Sequence, residues 1–398
     1  MEVRQAKAVI TNNQSLKITD ANVKITDLSK TVVQVKAQAT GPLAAMLSFT
    51  NNSPLRDITE KALLHTKASG NSDYIFNMNL PIAQMDKASV DGQVKLIGNE
   101  IQITPDTPVL KKVTGQVIFN EYGFLIQTAK ANLLGGEVEF SGGSSALINR
   151  NLKSAKPAIN TTKNSSPEVM IKGKGTINAQ ALATTPELGV VAQVAKYLSG
   201  STPYQLSLHI NKGQPELIIN SNLIGIASAL PAPFNKTAET SLALNYENLL
   251  TTNSATLAIN NPNQVLQDTL KLEVGNLLSL YYLRNLALNN PPEVVRGGIA
   301  IGSGKSEIIA PTTGGVAANI VSSQINLDKW LEVFKNLTNN KNPVAKINAA
   351  TDASADNYLP RIVSVKSALI NWDIYNFEQV TANLNRDGNL WRATIDSK

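Results

Sequence analysis

The chain has 398 residues, 42% of them hydrophobic, enough for roughly two to three domains or one long repetitive one, and this share argues against global disorder. Charged residues make up only 17%, and 36 Lys and Arg against 30 Asp and Glu leave a diffuse net charge of +6; with aromatics at 5% there is no basic stripe interleaved with stacking rings, which argues against a nucleic-acid partner. The absence of cysteine removes disulfides, thiolate nucleophiles, zinc–thiolate sites and iron–sulfur clusters, and it suits an oxidising compartment.

The N-terminus has no apolar stretch of the kind that forms an export signal, and no run of about 18 apolar residues follows. Gly41-Pro-Leu-Ala-Ala-Met-Leu-Ser-Phe and then Asn52-Ser-Pro-Leu-Arg predict short helices near 42–64. From there the dominant pattern has period two. Gln93–Ile97, Gly115–Phe119 and Glu137–Phe140 alternate apolar with polar or small residues, as half-buried strands do, and Ile97-Gly-Asn, Asn120-Glu-Tyr-Gly and Leu134-Gly-Gly predict turns between them. A groove-forming β segment is therefore expected over 1–143. Ser144 to Pro167 is polar and rich in turn residues, and reads as a surface insertion.

A second β segment is expected over 168–398. It begins with a helix near 186–199, with Thr185 as N-cap, Pro186 at the first helical position and Gly200 as the stop. Strands follow at Gln205–Ile210, Ser241–Asn245, Thr256–Ile259 and Leu270–Val274, with a turn at Asn211-Lys-Gly-Gln-Pro. Leu327, Trp330, Leu331, Phe334 and Leu337 fall on one face of a helix near 327–337, whose apolar stripe needs a surface to pack on. Lys341 to Asp356 reads as a link to the last two strands, which turn at Arg386-Asp-Gly-Asn.

No catalytic constellation emerges. His65 and His209 have no His partner at ligand spacing, so a serine triad, a zinc hydrolase and any metal site are disfavoured. Gly304-Lys-Ser matches the end of a P-loop, but Ile299 stands where the first glycine belongs, and a strand rather than a helix follows; a hairpin turn is the simpler reading. Glu137 and Glu139 lie two apart on one strand with no cleft, so they read as a solvated edge. The expectation is no enzyme, no cofactor and no metal.

Many amphipathic strands with few helices must cover their apolar faces with something. The fold class is mainly β: an elongated, twisted antiparallel sheet curled into an open apolar groove, with a few short helices. Acyl chains need only non-directional apolar contact, and the lining expected for them is Val94, Leu96, Val117, Phe119, Leu206, Leu208, Ile210, Leu242, Leu244, Leu270 and Leu272. An Asn/Thr-rich β-solenoid adhesin is the alternative, although the chain lacks a short coil period.

Asn220-Ser-Asn-Leu-Ile-Gly-Ile-Ala-Ser-Ala-Leu-Pro-Ala-Pro-Phe-Asn-Lys resembles the SDLxGxxxxLPxPxxK stretch of the YhdP family of AsmA-like proteins, with Asn222 where Asp is common. Weaker matches run in order along nearly the whole chain: Gly41-Pro-Leu with Ser53-Pro-Leu, Val90-Asp-Gly through Asn120 to Leu134-Gly-Gly-Glu-Val, Gln324-Ile-Asn-Leu-Asp-Lys-Trp-Leu, and Asp387-Gly-Asn-Leu-Trp. The resemblance implies an open β groove, periplasmic and tethered to the inner membrane, that carries phospholipid toward the outer membrane of Gram-negative bacteria. It also implies that the partners are phospholipid acyl chains and, through missing parts of a longer parent protein, the two membranes. The chain is shorter than a typical member and lacks the family's N-terminal transmembrane helix, so it reads as an interior segment.

Overall fold

The computed structural model describes residues 2–25, 32–52, 63–148, 169–252, 265–339 and 357–398, apart from a few short stretches within them. Most of the expected insertion, the strand at Thr256–Ile259, the helix start after Asn52, Lys305-Ser306 and the link Lys341–Asp356 lie outside the described residues. The chain divides into two units, one of residues 1–177 with 207–215, the other of 178–206 with 216–398.

The first unit is built from β1 (Glu2–Val3), β2 (Ala8–Ile10), β3 (Asn13–Ile25), β4 (Val32–Pro42), α1 (Leu43–Asn51), β5 (Lys67–Ser69), β6 (Asn71–Pro81), β7 (Ser89–Gln102), β8 (Leu110–Asn120), β9 (Gly123–Leu133), β10 (Gly136–Ser144) and β11 (Val169–Asn178). From β3 onward, strands close in sequence pair antiparallel, and the pairing runs from β3 through β4, β6, β7, β8, β9 and β10 to β11. Period two and this register act together. Residues paired across antiparallel strands share a face, so apolar residues in phase on neighbouring strands collect in shared rows. One row reads Ile18, Ala39, Tyr74, Val94, Val117, Ile126, Gly142, Ile171.

The opposite face is more polar, with Asn22, Lys36, Asn77, Asp91 and Asn120 in one row, although Ile75 and Ile118 also stand on it. Glu137 and Glu139 stand on that polar face rather than on an edge, and each meets a lysine on a neighbouring strand: Lys130–Glu137 at 3.2 Å and Lys174–Glu139 at 3.8 Å. Exposed pairs of this kind add little stability.

The turns at Asn120–Gly123 and Leu134-Gly135 form as predicted, the second with both residues at positive φ. Ile97-Gly-Asn is not a turn. It lies inside the long β7, where Gly98 at φ 83° is the extra residue of a bulge and Asn99 is only 1% exposed. The Asn99 side chain uses its full capacity: Oδ1 accepts from the Ser72 hydroxyl (3.2 Å) and the Ile97 N–H (2.9 Å), and Nδ2 donates to the carbonyls of Ser69 and Asn71, both at 3.1 Å. Those two carbonyls flank Gly70, the matching break between β5 and β6, so one buried amide stitches both irregular strands.

The second unit contains α2 (Ala179–Ala183), a 3-10 turn (Pro186–Leu188), α3 (Val190–Ala195), β12 (Leu198–Asn211, which ends in the first unit), β13 (Gln214–Ser221), β14 (Ile226–Ser228), β15 (Leu244–Leu250), β16 (Leu266–Val274), β17 (Leu278–Ala287), β18 (Asn290–Ile301), β19 (Gly315–Asn326), α4 (Leu327–Asn339), β20 (Ile362–Trp372), β21 (Tyr375–Asp387) and β22 (Leu390–Asp396).

The helix expected near 186–199 is broken. Gly189 adopts φ 52° between the 3-10 turn and α3, and the Thr185 hydroxyl donates backward to the Ala181 carbonyl at 2.7 Å, closing α2 instead of opening the next helix. Gly200 stops no helix either. It sits in β12 at φ 93°, where a Cβ would collide with the Gly225 carbonyl at 2.0 Å. The helix at 327–337 forms as α4, with Asn326 Oδ1 accepting the Lys329 N–H.

Pairing in the second unit runs β13, β15, β16, β17, β18, β19, β20, β21, β22. The expected antiparallel pairing holds at most joints of this unit, and β18–β19 and β19–β20 are the two parallel exceptions among the described pairings. A parallel partner requires a crossover, and α4 belongs to the one between β19 and β20. In neither unit does a described pairing join the first strand to the last, so neither sheet closes into a barrel. The fold is mainly β with a few short helices.

Candidate functional site

Each unit carries one long apolar sheet face. In the first, α1 covers one end of it: Met46 packs with Leu16, Ala39 and Tyr74, and Ile18, Ala45, Phe76 and Val94 surround that cluster. Along β6 the effect is graded. Ser72 and Tyr74 are buried near α1, whereas Phe76, Met78 and Leu80 are half-buried. Val94, Leu96, Val117 and Phe119 all lie on this face; Leu96 is buried and the other three are half-buried. Phe119 lies over Gly92, where a Cβ would stand 2.5 Å from the ring, so the missing side chain lets the ring lie along the sheet.

In the second unit one row reads Ile219, Tyr246, Leu272, Leu280, Ile299, Ala318, Val363, Leu384, Ala393. The next reads Ser221, Leu244, Val274, Leu278, Ile301, Ile320, Val365, Ala382, Ile395. Leu244, Leu270 and Leu272 are on this face and half-buried. Thr202 reaches Ser221 through its hydroxyl at 3.2 Å, so alternation along β12 sets Tyr204 and Leu206 on the same face as Leu244. Leu208 and Ile210 continue that alternation in the part of β12 that belongs to the first unit, half-buried and buried respectively. Leu242 precedes β15, outside the ladder, with its N–H on the Asn222 carbonyl (2.8 Å).

Sequence reading missed a charged pair on the second apolar face. Asp268 and Arg284 are direct cross-strand partners, with side chains only 5% and 11% exposed. Arg284 donates Nε to Asp268 Oδ1 (2.9 Å), Nη2 to Oδ2 (2.5 Å) and Nη1 to the Tyr358 hydroxyl (3.2 Å); Asn248 also donates to Asp268, at 2.7 Å. Burial disfavours the charged guanidinium, but the hydrogen bonds and charge of Asp268 and the Tyr358 contact outweigh it and hold the Arg284 pKa above its ordinary value. The signal was present. Asp268 falls in phase with Leu266, Leu270 and Leu272, and Arg284 with Leu278, Leu280 and Tyr282, so each places a charge where alternation calls for an apolar residue.

The signature stretch forms a pinned loop. Lys236 directs its ammonium at three carbonyls, Leu223 (2.8 Å), Ile226 (2.6 Å) and Thr237 (3.0 Å), and burial lowers its pKa against the opposing pull of Glu239. Trp330 of α4 packs edge-on against Phe234 with ring centroids 5.8 Å apart. The α4 stripe thus docks by Trp330 on this loop, while the helix also lies against β20. Its most buried member is Val333, which the stripe omitted, and Phe334 is 55% exposed.

Among the described residues no group of three or more His, Asp or Glu stands ready for a metal ion, and no helix is long and apolar enough to cross a membrane. His65 is exposed and His209 half-buried. No curated protein and no solved structure matches the chain. The sequence model described as YhdP protein matches residues 5–398. With that match spanning nearly every strand of both apolar faces, the chain belongs to the YhdP family, a lipid-transport family of the cell envelope.

Proposed function

We propose that the chain is a non-enzymatic segment of a bridge-like protein that carries phospholipid between the inner and outer membranes of a Gram-negative envelope. The supporting observation is the pair of apolar faces, each built from rows of mostly apolar partners that cross one sheet and remain half-buried along much of their length. Acyl chains cover such a surface with no need for directional partners, whereas water does so at a cost that scales with apolar area. Val94, Leu96, Val117 and Phe119 in one unit, and Leu206, Leu244, Leu270 and Leu272 in the other, are the lining side chains, with Leu208, Ile210 and Leu242 at its margins. The place of action is the periplasm, in a longer protein tethered to the inner membrane.

The adhesin alternative fits less well. Coils of a β-solenoid stack their strands in parallel, and here most neighbouring strands form antiparallel pairs. The test is organic extraction and mass spectrometry of the protein purified from bacteria. Phospholipid should be recovered, and Leu272→Glu, which sets a charge in the middle of an apolar row, should reduce the yield. Protein that is free of lipid when purified without detergent would defeat the reading.

A further inference from the structure

Tyr358 occupies the apolar face of the second unit. Its ring meets Tyr282 edge-on with centroids 5.2 Å apart, its backbone carbonyl accepts the Tyr282 hydroxyl at 3.1 Å, and its own hydroxyl accepts from Arg284 at 3.2 Å. Both anchors belong to β17, yet Tyr358 precedes β20, whose entry is fixed by the Arg361 N–H on the Val316 carbonyl (2.9 Å). Between the anchors lies the row Tyr282, Gly297, Val316. The chain from Arg361 back to Tyr358 therefore runs over β19 and β18, and Val316 beneath it is 1% exposed. Gly297 has no side chain to obstruct the Tyr282 ring, which a Cβ would meet at 2.4 Å.

We propose that Tyr358 is a displaceable cover that holds part of this face when no acyl chain is on it. The idea rests on the lipid reading above and adds a regulatory element to the same surface. A cover meant to be permanent would be apolar and deeply packed. This one is half-buried and held by two hydrogen bonds and one ring contact, attachments that a few methylene groups of acyl burial can replace. The Asp268–Arg284 pair explains how a polar anchor exists on such a face at all. Asp268 takes two of the guanidinium donors and neutralises the charge, so Arg284 can stay buried whether or not Tyr358 is in place.

Because the chain has no cysteine, Val316→Cys creates a single reporter thiol under the cover. Its labelling by a small maleimide should rise several-fold when Tyr358→Ala is added, with Tyr358→Phe in between because the ring remains while the Arg284 bond is lost. Phospholipid retained per protein should rise in the same order. Equal labelling in all three proteins, with circular dichroism unchanged, would overturn the cover. Faster labelling without more retained lipid would overturn the competition between Tyr358 and acyl chains. Lipid absent from every protein would remove the transport reading itself, a result that the labelling arm keeps distinct from a cover that never lifts.

Discussion

Trp330 donates its indole N–H to the carbonyl of Ala232 at 3.1 Å, which ties α4 to the loop of the family signature. The same ring contacts Phe234 and Phe334, so one side chain joins the helix to the loop and to its own next turn. Trp330→Ala should cost roughly 2–4 kcal/mol, toward the lower side of the range for a fully buried aromatic. Trp330→Phe should cost about 1 kcal/mol, the worth of one hydrogen bond. The urea midpoint of the second unit checks both. A neutral Trp330→Ala would mean that the loop holds α4 by other contacts.

Lys236→Met should destabilise the same loop by roughly 2–4 kcal/mol, since charge-assisted bonds to carbonyls are lost and only part of that loss is made good by water. Lys236→Arg should not rescue it, because a planar guanidinium cannot aim at three convergent carbonyls as a tetrahedral ammonium does. Hydrogen exchange of the Ile226 and Ser228 amides reads the effect locally. Full rescue by arginine would sink the geometric argument.

Asn99→Ala should be among the costliest changes in the first unit, above about 3 kcal/mol, because it orphans the buried Ser72 hydroxyl and the carbonyls beside Gly70 at once. All three tryptophans, Trp330, Trp372 and Trp391, lie in the second unit, so intrinsic fluorescence will not report this loss directly. Amide exchange along β5 to β7 is the appropriate measurement.

Asp268→Leu alone should cost about 3–5 kcal/mol by stranding the Arg284 charge, and Arg284→Met alone a similar amount. The double variant should recover most of that loss, since both side chains then match the apolar rows around them. Denaturant titrations of the four proteins complete the cycle, and additive losses would show that the two groups act separately.

Tyr74 in the first unit and Tyr204 and Tyr282 in the second have hydroxyl pKa values pushed up to about 12, chiefly by burial. The folded state therefore keeps these protons in a range where the unfolded chain, with values near 10, releases them. Their stabilisation is complete below pH 10 and is lost as pH rises from about 10 to about 12. Alkaline titration should unfold both units in that window. Replacing Tyr204, whose buried hydroxyl has no hydrogen-bond partner among the described residues, by Phe should move the second unit's midpoint upward.

Strand alternation was legible because it depends on local residue order alone: Gln93–Ile97, Gly115–Phe119, Glu137–Phe140 and Leu270–Val274 all lie in strands, and the in-phase leucines mark the apolar faces. What escaped was decided by distant partners. Gly98-Asn99 carries the same local signal as a hairpin turn, and only the opposing break at Gly70 makes it a bulge. Thr185 looks like an N-cap until the preceding α2 claims its hydroxyl. The parallel joints at β18–β19 and β19–β20 leave no mark on either strand's own pattern, because alternation is blind to direction.

Those two joints also set an order of assembly on the ribosome. Leu133 finds Gly136 almost as soon as both have emerged, and most of the first unit can zip hairpin by hairpin as it is made. Ala317, by contrast, pairs with Ile362, so the outer edge of β19 must wait while α4 and everything before β20 is synthesised. For that interval a nascent chain displays Val316, Ala318 and Ile320 beside an unpaired ladder, the kind of edge that chaperones shield and that foreign strands capture.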